Sequence, residues 1–292
     1  MSAAVSSLVR ETVEQLREEL VGLHAELTRN ELVVWTAGNV SARVPGEDLL
    51  VIKPSGVAYD ALTAQTMVVA DFDGRLVEGA HQPSSDTAAH AYVYRHLPEV
   101  GGVVHTHSTY ATAWCARREP IPCVLTMMAD EFGGDIPAGP FALIGDDSIG
   151  RGIVQTLAGS RSTAVLMGGH GPFTVGASAR AAVKSAVMLE DVARTVHVAR
   201  QLGEPVRLAQ ADIDSLYDRY QNVYGNDPSG PNGTTNTAVS GKYICASTVT
   251  IHDGKFTPLK DVPEGKQFIC MTGGANSPTL TDTPEYMRFG PS

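Results

Sequence analysis

The sequence predicts an α/β fold for most of the chain, followed by a small β-rich C-terminal appendage. Three observations predict it. Near the N-terminus, Val9, Val13, Leu16, Leu20, Leu23 and Leu27 recur every three or four residues, with Glu and Arg opposite, which is the signature of an amphipathic helix. Short apolar runs bounded by glycine and proline, such as Leu49-Leu50-Val51-Ile52 and Ala164-Val165-Leu166-Met167, read as buried strands between further helical stretches. After Gly225 the chain becomes polar and rich in Gly and Pro over residues 226–237, then alternates with period two.

In order, the N-terminal helix leads to Trp35-Thr36-Ala37-Gly38-Asn39-Val40-Ser41 and then to the strand 49–52, which Lys53-Pro54-Ser55-Gly56 terminates. Met67-Val68-Val69-Ala70 is the next strand, and Asp73-Gly74 turns it into Arg75-Leu76-Val77. A helix opens at Pro83-Ser84-Ser85-Asp86-Thr87, where Ser84, Ser85 or Asp86 can cap it, and runs to about Leu97. Gly101-Gly102-Val103-Val104-His105-Thr106-His107 is a short buried strand, and Ser108 or Thr109 can cap the helix after it. Residues 120–150 read as a functional loop, 149–157 as a short helix, 179–202 as a long and largely buried one, and 211–221 as the last. Past the linker, 242–251 and 267–271 read as strands, with a turn at His252-Asp253-Gly254-Lys255.

The chain has 292 residues, 43% of them hydrophobic, which is enough for one large or two modest domains. Its 22 basic against 32 acidic residues give a formal charge of -10, which argues against a nucleic-acid-binding surface but leaves room for a locally positive site for an anionic substrate. None of the four cysteines lies in a Cys-x-x-Cys, so cysteine-bound zinc and thioredoxin-type chemistry are not expected. Cys115 and Cys123 read as packing residues. No apolar run is long enough to span a bilayer and no signal peptide is visible, so the expected location is the cytoplasm, away from membranes.

Chemistry concentrates on histidines. His105 and His107 are two apart, so on a strand both imidazoles face the same way and supply half of a zinc site. His170, in Gly168-Gly169-His170-Gly171-Pro172 after an apolar run, is the candidate third ligand. Asn39, the turn Lys53-Pro54-Ser55-Gly56, and Ser84-Ser85 at a helix start carry the donors that suit a phosphate. Asp86 is a cap or a general acid/base. Asp130 reads as a loop carboxylate, and Glu190 and Asp191 as the polar face of the long helix. His81, His90, His96, His197 and His252 show no partner by spacing.

Together, Gly38-Asn39-Val40-Ser41, Lys53-Pro54-Ser55-Gly56-Val57, Pro83-Ser84-Ser85-Asp86-Thr87, His105-Thr106-His107-Ser108 and His170-Gly171-Pro172-Phe173 resemble the L-ribulose-5-phosphate 4-epimerase family of the class II aldolase/epimerase superfamily. The likeness runs from about residue 8 to Gly225. It implies a three-layer α/β/α fold around a mainly antiparallel sheet, a bound Zn2+ or other divalent metal, and a homotetramer with active sites between subunits. It places His105, His107 and His170 on the metal, and Asn39, Lys53, Ser55, Gly56, Ser84 and Ser85 on the substrate phosphate. Asp86 becomes one acid/base, and Asp130, from a neighbouring subunit, the other. Tyr224 matches a tyrosine near the family's C-terminus. The histidine that the best-known epimerases carry in the last helix is missing from Asp214-Ser215-Leu216-Tyr217-Asp218-Arg219-Tyr220-Gln221-Asn222.

The implied reaction interconverts L-ribulose 5-phosphate and D-xylulose 5-phosphate by retro-aldol cleavage and recondensation. Two acid/bases on opposite sides of the substrate move the hydroxyl protons. The alternative is a sugar-phosphate aldolase of the fuculose-phosphate type, which carries glutamate where this chain has Asp86. A third reading is a non-enzymatic relative, and such relatives tend to lose the metal ligands. The domain boundaries expected are 1–225 for the catalytic domain, 226–237 for the linker and 238–292 for the appendage.

Overall fold

A computed structural model of the chain describes residues 7–222, 249–252 and 255–258. The chain divides into two units, Met1–Gly233 and Thr234–Ser292. In the first unit the strands are β1 (Asn39–Arg43), β2 (Leu49–Ile52), β3 (Val68–Asp71), β4 (Leu76–Glu78), β5 (Gly102–His105), β6 (Ala138–Gly139), β7 (Ala164–Met167) and β8 (Gly171–Gly176). They form one eight-stranded sheet in the order β4-β3-β2-β1-β5-β8-β7-β6. Every neighbouring pair is antiparallel except β6 and β7. The helices are α1 (Ser7–Arg29), α2 (Thr87–His96), α3 (Thr109–Arg117), α4 (Thr126–Phe132), α5 (Ser148–Leu157), α6 (Ala179–Leu202) and α7 (Gln210–Asn222).

Period-two alternation divides the helices into two layers. Leu50, Ile52, Val68, Ala70, Val103, Val165, Met167, Phe173 and Val175 point to one face, against Ala89 and Val93 of α2 and Ile149 and Ile153 of α5. The residues between them, including Val40, Val51, Val69 and Val104, point to the other face. There they meet Leu20, Leu23 and Leu27 of α1 and Ala182 and Val183 of α6. Further along that side α3, α4, α6 and α7 enclose a third cluster around Trp114, Phe132, Leu166 and Val192. The architecture is thus the three-layer α/β/α sandwich with a mainly antiparallel sheet. Each fully buried leucine or valine contributes about 1.5–3 kcal/mol, so α1 and α6 are held by packing and not by helix propensity.

The second unit contributes, among its described residues, the hairpin β9 (Val249–His252) and β10 (Lys255–Pro258), whose register pairs His252 with Lys255 around the expected turn. The strand expected at 267–271, the linker, Tyr224, Cys245 and Cys270 lie outside the described residues.

Four local expectations are corrected. Residues 120–150 are not loop alone: Met128, Ala129 and Phe132 bury the face of α4, so Asp130 stands on a helix. β1 and β8 are additional strands. β1 has only Val40 and Ala42 as apolar signal, and β8 opens on Gly171-Pro172, a pair that reads as a breaker. β5 ends at His105, so His107 lies beyond the ladder. Glu190 is not merely part of a polar face, because both its oxygens accept backbone N–H bonds, from Tyr110 and Ala111, at 2.8 Å each.

Candidate metal centre and active site

The centre forms where β5 ends against β1 and β8. His105 occupies the last position of β5, shares the α2 face of the sheet with Val103, and pairs across the ladder with Asn39. It is buried, and its ring stacks on Phe173 at 4.2 Å between centroids. Its Nδ1 lies 3.0 Å from the carbonyl of Pro172. A neutral ring can make that bond only as the donor, which leaves the Nε2 lone pair free. Gly171 makes room for this ring: a Cβ there would meet the Thr106 carbonyl at 2.7 Å and His105 Cε1 at 3.1 Å.

His107 comes from the connection to α3. Its Nε2 is 2.9 Å from that of His105, and its backbone N–H donates to Leu32 at 3.2 Å. His170 comes from the three-residue loop of the β7–β8 hairpin, whose register closes Met167 on Gly171. Gly169 takes the left-handed conformation this loop needs, with φ +70. One nitrogen from each of the three rings lies within 4.8 Å of the others.

Burial lowers the pKa of all three histidines, that of His105 to about 3, so each ring is a neutral lone-pair donor at physiological pH. Three neutral imidazoles, one oriented by a carbonyl on its second nitrogen, suit a divalent metal such as zinc with a position left open. The donor set therefore fits the metal expected.

Beside the cluster, α2 lays a polar stripe on β1. Asp86 Oδ2 accepts from Asn39 Nδ2 at 2.7 Å, His90 Nδ1 meets Ser41 Oγ at 2.7 Å, and Tyr94 Oη meets the same hydroxyl at 2.8 Å. The spacing Asp86, His90, Tyr94 is i, i+4, i+8, one face of α2. Asp86 is 5% exposed, and its Oδ1 has no hydrogen-bond partner. Burial raises its pKa, whereas interaction with His105 and His90, the Asn39 bond and interaction with His170 lower it, and the net shift is downward. Asp86 is thus an ionised carboxylate beside the histidines.

The turns expected to hold a phosphate come together. Ser55 N–H donates to Gln82 at 2.9 Å and Ser84 N–H to Lys53 at 3.1 Å, across a bridge between Pro54 and Pro83. Ser55, Gly56 and Ser85 are exposed there, and Ser84 Oγ accepts from Asn39 at 3.0 Å. Lys53 is buried, and burial lowers its pKa. Its ammonium donates to the carbonyls of Thr36 (3.2 Å) and Pro54 (3.4 Å), so it ties the segment before β1 to the turn after β2. Asp130 is set apart from this group: its charged neighbours are Arg219 and Glu131, and burial raises its pKa.

Two histidines carry more than their spacing disclosed. His90 belongs to the stripe under Asp86, and the i+4 interval from Asp86 was the available signal. His24, which drew no reading, receives the Val40 N–H on Nε2 at 3.0 Å and bonds Leu20 O through Nδ1 at 2.6 Å, tying α1 to β1 next to Asn39.

An α/β/α sandwich with three histidines that could hold a metal at a strand end, a carboxylate beside them and serine-bearing turns nearby defines a class of protein. Residues 18–197 match the class II aldolase and adducin N-terminal domain, and the chain belongs to that family. Its solved relatives include an L-fuculose 1-phosphate aldolase, 27% identical with a TM-score of 0.67 over 71% of this chain and 96% of that one. YgbL from Klebsiella pneumoniae is 31% identical with a TM-score of 0.63, over 70% and 98%. YgbL from Escherichia coli is 26% identical with a TM-score of 0.63, over 70% and 98%.

Proposed function

We propose that this protein is a zinc-dependent enzyme of phosphorylated ketoses that breaks and remakes a carbon–carbon bond, and that it does so as a pentulose 5-phosphate 4-epimerase. The observation that carries the reading is Asp86, an ionised, buried carboxylate fixed by Asn39 beside the three histidines. A divalent metal held by His105, His107 and His170 supplies a Lewis acid for the ketose oxygens. Asp86 accepts the C4 hydroxyl proton, the C3–C4 bond breaks, and its electrons pass toward the C2 carbonyl. Ser55, Gly56, Ser84 and Ser85, braced by Lys53 and Asn39, retain the phosphorylated aldehyde while it turns and recondenses on its other face.

A second acid/base must act on the opposite side, and in this reading it is Asp130 from a neighbouring subunit of a homotetramer, with Tyr224 nearby. Two features support the assembly: Val34 and Trp35, 72% and 87% exposed, border the segment that receives His107, and the charged groups acting on Asp130 are Arg219 and Glu131, not the three histidines. We read residues 1–225 as the catalytic domain and 238–292 as an appendage joined by the linker 226–237. Truncation after Gly225 with turnover retained is the expected outcome.

The fuculose-phosphate aldolase relative favours a second reading, net aldol cleavage. Incubating the zinc-loaded full chain with L-ribulose 5-phosphate separates the two. D-xylulose 5-phosphate as product supports epimerisation, free dihydroxyacetone with glycolaldehyde phosphate supports cleavage, and no turnover counts against both.

A further inference from the structure

Helix α3 starts two residues after the metal-cluster residue His107, and its N-terminus is unusual. Ser108 is the N-cap residue but makes no side-chain capping bond. Its hydroxyl instead meets Thr106 Oγ1 at 3.4 Å. The first-turn amides of Tyr110 and Ala111 are satisfied from 80 and 79 residues away, one by each oxygen of Glu190 on α6, both at 2.8 Å. A carboxylate at this end of a helix also meets the positive end of the helix dipole. No described cation pairs with Glu190, so its charge is committed to α3. The Trp114 indole adds a second tie, donating to the Ala193 carbonyl on α6 at 3.2 Å.

His107 is therefore clamped from both sides. Its own N–H is held by the Leu32 carbonyl in the connection three residues past α1, and the residue after it enters a helix pinned to α6. β5 has already ended at His105, so no ladder fixes His107. We propose that Glu190 is a positioning residue of the metal centre, which sets the place of His107 by holding the start of α3. This rests on the three-histidine metal reading. A ligand that is free to swing binds metal less tightly, because the ordering is paid on binding.

The test is zinc affinity of the full chain by competition with a chromophoric chelator, with the Co2+ absorption spectrum as a report of ligand geometry. Glu190→Ala should weaken Zn2+ binding about ten- to a hundred-fold and alter the Co2+ spectrum. Glu190→Gln, which keeps one good acceptor, should fall between the two and serves as the test variant if Glu190→Ala does not fold. Ser185→Ala removes the 2.7 Å contact between α6 and Thr163 without touching α3, and should lower thermal stability while leaving zinc affinity within about twofold. Unchanged zinc affinity in Glu190→Ala, or an equal loss in Ser185→Ala, would overturn the positioning role. No zinc bound by the wild type would overturn the metal reading itself.

Discussion

Replacing Asp86 by Asn separates the chemistry of this site from its architecture. The two side chains are isosteric. Asp86 makes one side-chain hydrogen bond, from Asn39 to Oδ2 at 2.7 Å, while Oδ1 has no partner. The asparagine can turn its oxygen toward Asn39 and its amide toward the side where Oδ1 has no partner, so the contact survives as a neutral bond. A charge-assisted bond contributes about 1.5–3 kcal/mol and a neutral one about 0.5–1.5, so the expected loss of stability is about 1 kcal/mol. Removing the proton acceptor should cost about 10²–10⁴-fold in rate, equivalent to about 2.7–5.4 kcal/mol in the barrier. The assay is the initial rate with L-ribulose 5-phosphate at saturating Zn2+, with bound zinc and urea unfolding measured on the same preparation. A rate within threefold of wild type would refute the assignment. A rate loss that follows zinc loss would show that Asp86 acts through the metal site and not on the substrate.

The remaining predictions concern the metal, the phosphate and pH. His107→Ala should reduce bound zinc and abolish turnover, and full metal occupancy by elemental analysis would contradict the ligand set. Ser84→Ala should weaken a phosphorylated ketose about ten- to a hundred-fold, the equivalent of one charge-assisted hydrogen bond, and leave the unphosphorylated ketose unaffected; equal losses for both would remove Ser84 from the phosphate site. Burial lowers the pKa of His24 from 6.5 to about 3, so between those values the unfolded chain holds a proton that the folded chain does not. Stability from this residue is therefore full above pH 6.5 and falls by about 1.4 kcal/mol per unit as pH drops toward 3. In urea unfolding at pH 7 and pH 5, His24→Gln should flatten that slope, and an unchanged slope would locate the titration elsewhere.

The sequence by itself determined whatever depends on local pattern. Six residues at helical spacing defined α1, and the bounds of α6 were legible to the residue because Ala- and Val-rich helix runs without a break to Gly203. His105, His107 and His170 were legible as a candidate donor set because nitrogen donors flanked by valines and glycines stand out, and the structure brings the three rings together. The turns of Ser55 and Ser84 were legible as turns from their proline, glycine and serine content, and the structure joins them across the Pro54–Pro83 bridge.

Only the tertiary structure decided which distant groups meet. His105 and His107 converge not because one strand presents both, but because the chain leaves β5 after His105 and the Leu32 carbonyl receives the His107 N–H. β1 escaped the pattern because Asn39 and Ser41 are buried polar residues, and they can be buried only because Asp86, His90 and Tyr94 arrive from α2 to satisfy them. His24 and Glu190 were silent for the same reason. Their partners are backbone amides 16 and 80 residues away, and an amide looks the same at every position in a sequence. Hydrophobic periodicity records which face of an element is buried, whereas hydrogen-bond complementarity across the chain exists only once the sheet has brought the partners together.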